Sequence, residues 1–160
     1  MRGEILVAGI GNMFLGDDGF GPEVIRHLAV DDSGLPGDVR AIDYGIRGMH
    51  LAYDLLEGYD ALVLVDVVAR GDAPGDITVL EVGPDDLGAD DFDPHGMNPV
   101  AVLASLGSLG GTLPPTFVVG CRPESTDEGI GLSDAVADAV PNAVEAVSRL
   151  LDDLLVSEGA

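Results

Sequence analysis

Three short aliphatic runs constrain this chain most. Ile5–Ile10, Ala61–Val68 and Thr116–Cys121 are built largely from Val, Ile, Leu and Ala, without a regular polar alternation. Runs of this length and composition suit strands covered on both faces, as in parallel sheets. Val39–Tyr44 and Ile77–Val82 read as two further strands. Between them lie segments with helical spacing: Phe20–Ala29, Gly48–Leu56 (Met49, Ala52 and Leu56 on one face), a stretch from an Asn98 cap and Pro99 to Leu109, and a C-terminal region from Ser133. Pro141 inside the last region predicts a kink or break. Strands alternating with helices predict a three-layer α/β/α domain around a twisted, mostly parallel sheet of about five strands. The short link from Ala61–Val68 to Ile77–Val82 allows one antiparallel pair.

The 160 residues suit one domain, 1–160, with one core. Aromatics make up 4% and Trp is absent, so that core must be aliphatic. The chain carries 29 acidic against 7 basic residues, a formal net charge of −22. Phosphate backbones and anionic membranes are repelled by such a surface, so neither nucleic acid nor membrane is expected as a partner. Solubility or adaptation to salt explains the charge without a specific partner. Cys121 is the one cysteine, so no intrachain disulfide can form. The start, Met1-Arg2-Gly3-Glu4 before a short apolar run, does not fit a secretory signal, and a cytoplasmic protein is expected.

In open parallel sheets, ligands sit beyond the carboxyl ends of the strands. Asp17/Asp18, Asp66 and His95 fall in such places. Asp17 and Asp18 stand in Gly16-Asp17-Asp18-Gly19-Phe20-Gly21-Pro22 just before a helix. Either can cap that helix, and one can cap while the other faces the cleft. Asp66 ends an otherwise apolar strand; it either shapes the next loop through hydrogen bonds or faces a ligand. His95 sits in the loop Asp93-Pro94-His95-Gly96, where a lone His is more often a surface residue than a ligand. Two carboxylates and an imidazole together can hold a divalent transition metal with open positions.

Other chemistries find less support. Gly9-Ile10-Gly11-Asn12 resembles the start of a dinucleotide fingerprint, but Phe14 stands where its third glycine belongs, so no cofactor-binding residues are assigned. His-Glu-x-x-His and Gly-x-Ser-x-Gly are absent, and no base is evident near Cys121.

The ordered set of motifs resembles the hydrogenase maturation protease family. The matching blocks are Gly9-Ile10-Gly11-Asn12 with Gly16-Asp17-Asp18-Gly19-Phe20-Gly21; Asp43-Tyr44-Gly45-Ile46-Arg47-Gly48; Val65-Asp66-Val67-Val68 with Pro74-Gly75; and His95. Gly120-Cys121-Arg122-Pro123-Glu124 and Gly129-Ile130-Gly131-Leu132-Ser133 extend the match over nearly the whole chain. The resemblance implies an aspartyl-type endopeptidase that removes the C-terminal peptide from a nickel-loaded [NiFe]-hydrogenase large-subunit precursor. It implies that Asp18, Asp66 and His95 bind nickel supplied by the precursor, and that the protein acts as a monomer. Asp18 or Asp66 would orient or deprotonate the attacking water. The sequence leaves room for a non-catalytic nickel- or precursor-binding assembly factor of the same fold. It also leaves room for a peptidase acting on another precursor, with specificity in loops such as Leu87–Asp93.

Overall fold

Successive strand residues point to opposite faces of a sheet, and here both faces are apolar. A computed structural model of the chain describes residues 4–30, 39–46, 48–82, 110–111 and 113–159. Strand β1 is Ile5–Ile10; a 3-10 turn at Gly16–Gly19 leads into helix α1, Phe20–Val30. Strand β2 is Val39–Gly45, helix α2 is Gly48–Leu55 and strand β3 is Ala61–Val67. Strands β4, Ile77–Val82, and β5, Thr116–Cys121, precede helix α3, Asp134–Gly159. The expected five strands are present within a residue of their sequence-based limits.

The sheet order is β2-β1-β3-β5-β4. Strands β2, β1, β3 and β5 are parallel; β4 alone runs antiparallel. The antiparallel partner of β4 is β5, which lies between β3 and β4. The direct β3–β4 hairpin suggested by their short link is therefore not formed. Central β5 is apolar enough for burial on both sides, whereas β4 is only partly buried and takes the edge.

Alternation along β1 and β3 sorts the core into two layers. Ile5, Val7, Val63, Val65 and Val67 face α1 and α3, whose Val24, Leu28, Val140, Ala143 and Val147 are buried against them. Leu6, Ala8, Ile10, Leu62 and Leu64 face the side covered by Leu51, Ala52 and Leu55 of α2. Burying a side chain of this size contributes about 1.5–3 kcal/mol. Leu56, expected on the inner stripe of α2, instead lies past the helix end and is 41% exposed. Helix α3 continues through Pro141, so of the expected kink or break the break is not formed. Val136, Ala139, Val140 and Ala143 are buried around the proline, and this packing offsets its missing N–H. The segments expected to form the 31–38 turn, the acidic loop 83–97 and the helix 98–109 lie outside the described residues, as do Arg47 and His95.

Glycine governs how closely α1 approaches the sheet. A Cβ on Gly21 would run into the carbonyl oxygens of Ile10 and Val65, and one on Gly9 would run into Ile25 and the Gly21 carbonyl. With hydrogen only at these positions, the start of α1 sits directly on the carboxyl ends of β1 and β3.

Candidate active site

Strand order reverses at β1. The chain leaves β1 through α1 to β2 on one side, then crosses back through α2 to β3 on the other. The carboxyl ends of β1 and β3 thus form a topological switch point, the usual ligand crevice of open α/β sheets. Asp18 follows β1 and Asp66 is the penultimate residue of β3, so both belong to this end of the sheet. They are 2% and 3% exposed. A carboxylate this buried needs hydrogen-bond or charge compensation. Asp18 Oδ2 accepts the Asn12 N–H at 2.8 Å, which closes the glycine loop after β1. Asp66 Oδ1 accepts the Val67 N–H at 2.8 Å. By alternation Asp66 falls on the α2 side, in line with Leu62 and Leu64.

The neighbouring Asp17 has a different task. Its Oδ2 accepts from the Glu124 N–H (2.8 Å), the Ser125 N–H (3.1 Å) and the Ser133 hydroxyl (2.9 Å), and its Oδ1 accepts from the Ser133 N–H (2.6 Å). Asp17 therefore does not cap α1; it joins the first loop to the segment before α3. Backbone bonds reinforce the join: Gly16 N–H to Gly129 O at 2.8 Å, Gly129 N–H to Phe14 O at 2.8 Å and Asp17 N–H to Ser125 O at 3.0 Å. Of the two adjacent carboxylates, Asp17 is consumed by structure, and Asp18 is held by the crevice loop itself. Sequence reasoning missed the clasp, because its partners lie 107–116 residues away.

Asp43 Oδ1 accepts the Gly45 N–H at 2.8 Å, making a tight turn at the end of β2 where Gly45 takes φ 56°. Gly11 N–H donates to Gly45 O at 3.0 Å, so the ends of β1 and β2 are tied together. Cys121 is fully buried at the end of β5. Burial, with a smaller contribution from the Asp17 charge, pushes its thiol up to about 12. A thiol so protonated is no nucleophile near neutral pH, in line with the absence of a cysteine motif.

The site is also hostile to a dinucleotide. A pyrophosphate would sit on the amino end of α1, where the turn Gly16–Gly19 places two buried carboxylates. His95 lies outside the described residues; among those described, no cluster of three His, Cys, Asp or Glu is arranged to hold a metal ion. No helix among them is long and apolar enough to cross a membrane.

A sheet of this topology with buried acids at its switch point defines an open α/β protein with an acidic crevice. The family profile described as hydrogenase maturation protease matches residues 22–150. The chain is 32% identical over 151 residues to the hydrogenase 2 maturation protease of Escherichia coli, covering 92% of this chain and 90% of that one. It is 33% identical over 161 residues to the coenzyme F420 hydrogenase subunit delta of Methanothermobacter thermautotrophicus, with 97% of each chain covered. Among solved structures, the hydrogenase maturating endopeptidase HybD from Escherichia coli superposes with a TM-score of 0.79 at 30% identity, covering 94% of this chain and 93% of that one. The chain belongs to the hydrogenase maturation protease family, and it is a peptidase.

Proposed function

We propose that this peptidase removes the C-terminal peptide of a nickel-loaded [NiFe]-hydrogenase large-subunit precursor. The observation that carries the reading is the arrival of Asp18 and Asp66, 48 positions apart in sequence numbering (66 − 18), at one switch point, both nearly fully buried. Two carboxylates with the imidazole of His95 form an oxygen-and-nitrogen donor set suited to a divalent transition metal with open positions. The nickel is part of the substrate, so three donors suffice for transient docking. When docked, it supplies Lewis acidity at the scissile carbonyl. The protein's own part is to orient the peptide and the water, and Asp18 or Asp66 accepts the water's proton.

The test is to incubate the purified chain with large-subunit precursor from the same organism, with and without nickel, and to follow precursor mass. Loss of a short C-terminal peptide only from the nickel-loaded form supports the proposal. Asp66→Ala should abolish that cleavage; full cleavage by this variant would remove Asp66 from the chemistry. Binding without any peptide release would favour the assembly-factor reading instead.

A further inference from the structure

The loops around the acidic pair carry an unusual amount of exposed hydrocarbon. Met13 and Phe14 follow β1, Ile46 follows β2, and Ile130 follows β5; they are 53%, 59%, 64% and 74% exposed. Only three other large apolar side chains among the described residues are comparably exposed, Tyr53, Leu56 and Val79, and none of them lies in these loops. Scattered exposed apolar residues are normal, but a group gathered around one crevice marks a contact surface.

The backbone segments of two of the four are tied together. The backbone bonds between Phe14 and Gly129, and between Gly16 and Gly129, fix the Phe14 and Ile130 segments to each other. Ile130 stands between Gly129 at φ 152° and Gly131 at φ 110°, conformations that glycine adopts readily and other residues do not. The Asp17 clasp anchors the same segments from beneath. Backbone already tied in this way need not be ordered on binding, which lowers the cost of docking. Beside Met13 lies an open hollow of about 370 Å³, lined by Met13, Pro22, Ile25 and Asp43 and by the Glu23–Arg26 ion pair. Exposed acids border the rim: Asp43, Asp127 and Glu128.

We infer that Met13, Phe14, Ile46 and Ile130 form a docking rim that grips the folded body of the protein substrate through apolar contact, independently of its metal. The inference rests on the proposed precursor-processing function for its occupant. These loops follow the carboxyl ends of β1, β2 and β5, the same end of the sheet to which Asp18 and Asp66 belong. The acidic border selects a substrate surface whose apolar patch is flanked by Lys or Arg. Metal ligation by carboxylates alone would not require such a rim. Recognition is thus divided, with the rim reading the substrate's surface and the acidic pair reading its loaded centre.

The experiment measures binding of the nickel-free and nickel-loaded large-subunit precursor to the wild-type chain, to the double variant Phe14→Ser/Ile130→Ser and to Val79→Ser, an exposed apolar control on β4. Melting temperatures are recorded for each. The double variant should weaken binding of the nickel-free precursor at least tenfold while melting near wild type, and Val79→Ser should bind as wild type does. With loaded precursor, the loss should fall mainly on KM; Asp66→Ala should instead abolish turnover and still bind nickel-free precursor. Equal binding by the double variant would overturn the rim, as would wild-type binding confined to the loaded form. If wild type binds through the rim but releases no peptide, the docking surface stands and the proposed function falls. If wild type binds neither form, the assigned occupant is wrong.

Discussion

Replacing Asp17 by Ala should unfold the site from its scaffold side. Four donors point at this carboxylate: the N–H groups of Glu124, Ser125 and Ser133, and the Ser133 hydroxyl. The hydroxyl can rotate toward water, so it is left out of the cost. Each stranded backbone N–H costs about 1 kcal/mol at the low end for a partly buried donor. Three of them give roughly 3 kcal/mol, which for a chain of this length lowers the melting temperature by about 6–12 °C. Asp17→Asn retains an oxygen for the Oδ2 donors but turns an amide N–H₂ toward the Ser133 N–H, and should cost about 2 kcal/mol. Ser133→Ala removes one bond and should cost about 1 kcal/mol. In the Asp17→Ala background, Ser133→Ala should add almost nothing, because the two residues share the interaction. Thermal and urea melts of the wild type and these four variants measure all of this. A melting temperature for Asp17→Ala within about 2 °C of wild type, a third of the smallest shift expected, or additive losses in the double variant, would refute the clasp.

Other perturbations address the scaffold. Gly21→Ala places a methyl group against the carbonyl oxygens of Ile10 and Val65 and should cost about 3 kcal/mol, seen in a urea melt; an unchanged midpoint would show that α1 shifts freely. Cys121 should resist iodoacetamide at pH 8 when folded and react within minutes in urea, because burial and the Asp17 charge hold the thiol protonated. Its thiol is raised from an ordinary 9.0 to about 12, so its contribution to stability is full below pH 9 and is lost as pH rises through 12. Cys121→Ala should flatten that part of the stability profile. Pro141→Ala restores a donor toward the Ala137 carbonyl in α3 and should stabilise by about 1–3 kcal/mol, measured as a higher melting temperature; a lower one would mean that the proline's local geometry is required.

The strands were legible because each is a short aliphatic run with its own turn signals, as in Ala61–Val67 between Asp60 and the glycine-rich turn near Gly71. Sheet order was not, because nothing local in Ile77–Val82 records that β5 will insert beside it. The same limit applies at the site. Asp66 declared itself as a charge at the end of an apolar strand, and Asp18 as part of a glycine-framed turn. Which of Asp17 and Asp18 does structural work was undecidable from their adjacency, because the deciding donors belong to residues 124, 125 and 133. Pro141 did not end the helix for a related reason: propensity is local, whereas the buried side of α3 that overrides it is tertiary.

The Asp17 clasp also sets a schedule. Its partners enter the chain more than a hundred residues after it does, and closing so wide a loop carries an entropic cost that only the finished core can offset. During synthesis, therefore, the first loop is made early but cannot be locked until the segment through Ser133 has left the ribosome. The Phe14 and Ile130 segments of the rim can be joined only then, so a chain that stops short of Ser133 lacks the complete clasp beneath them.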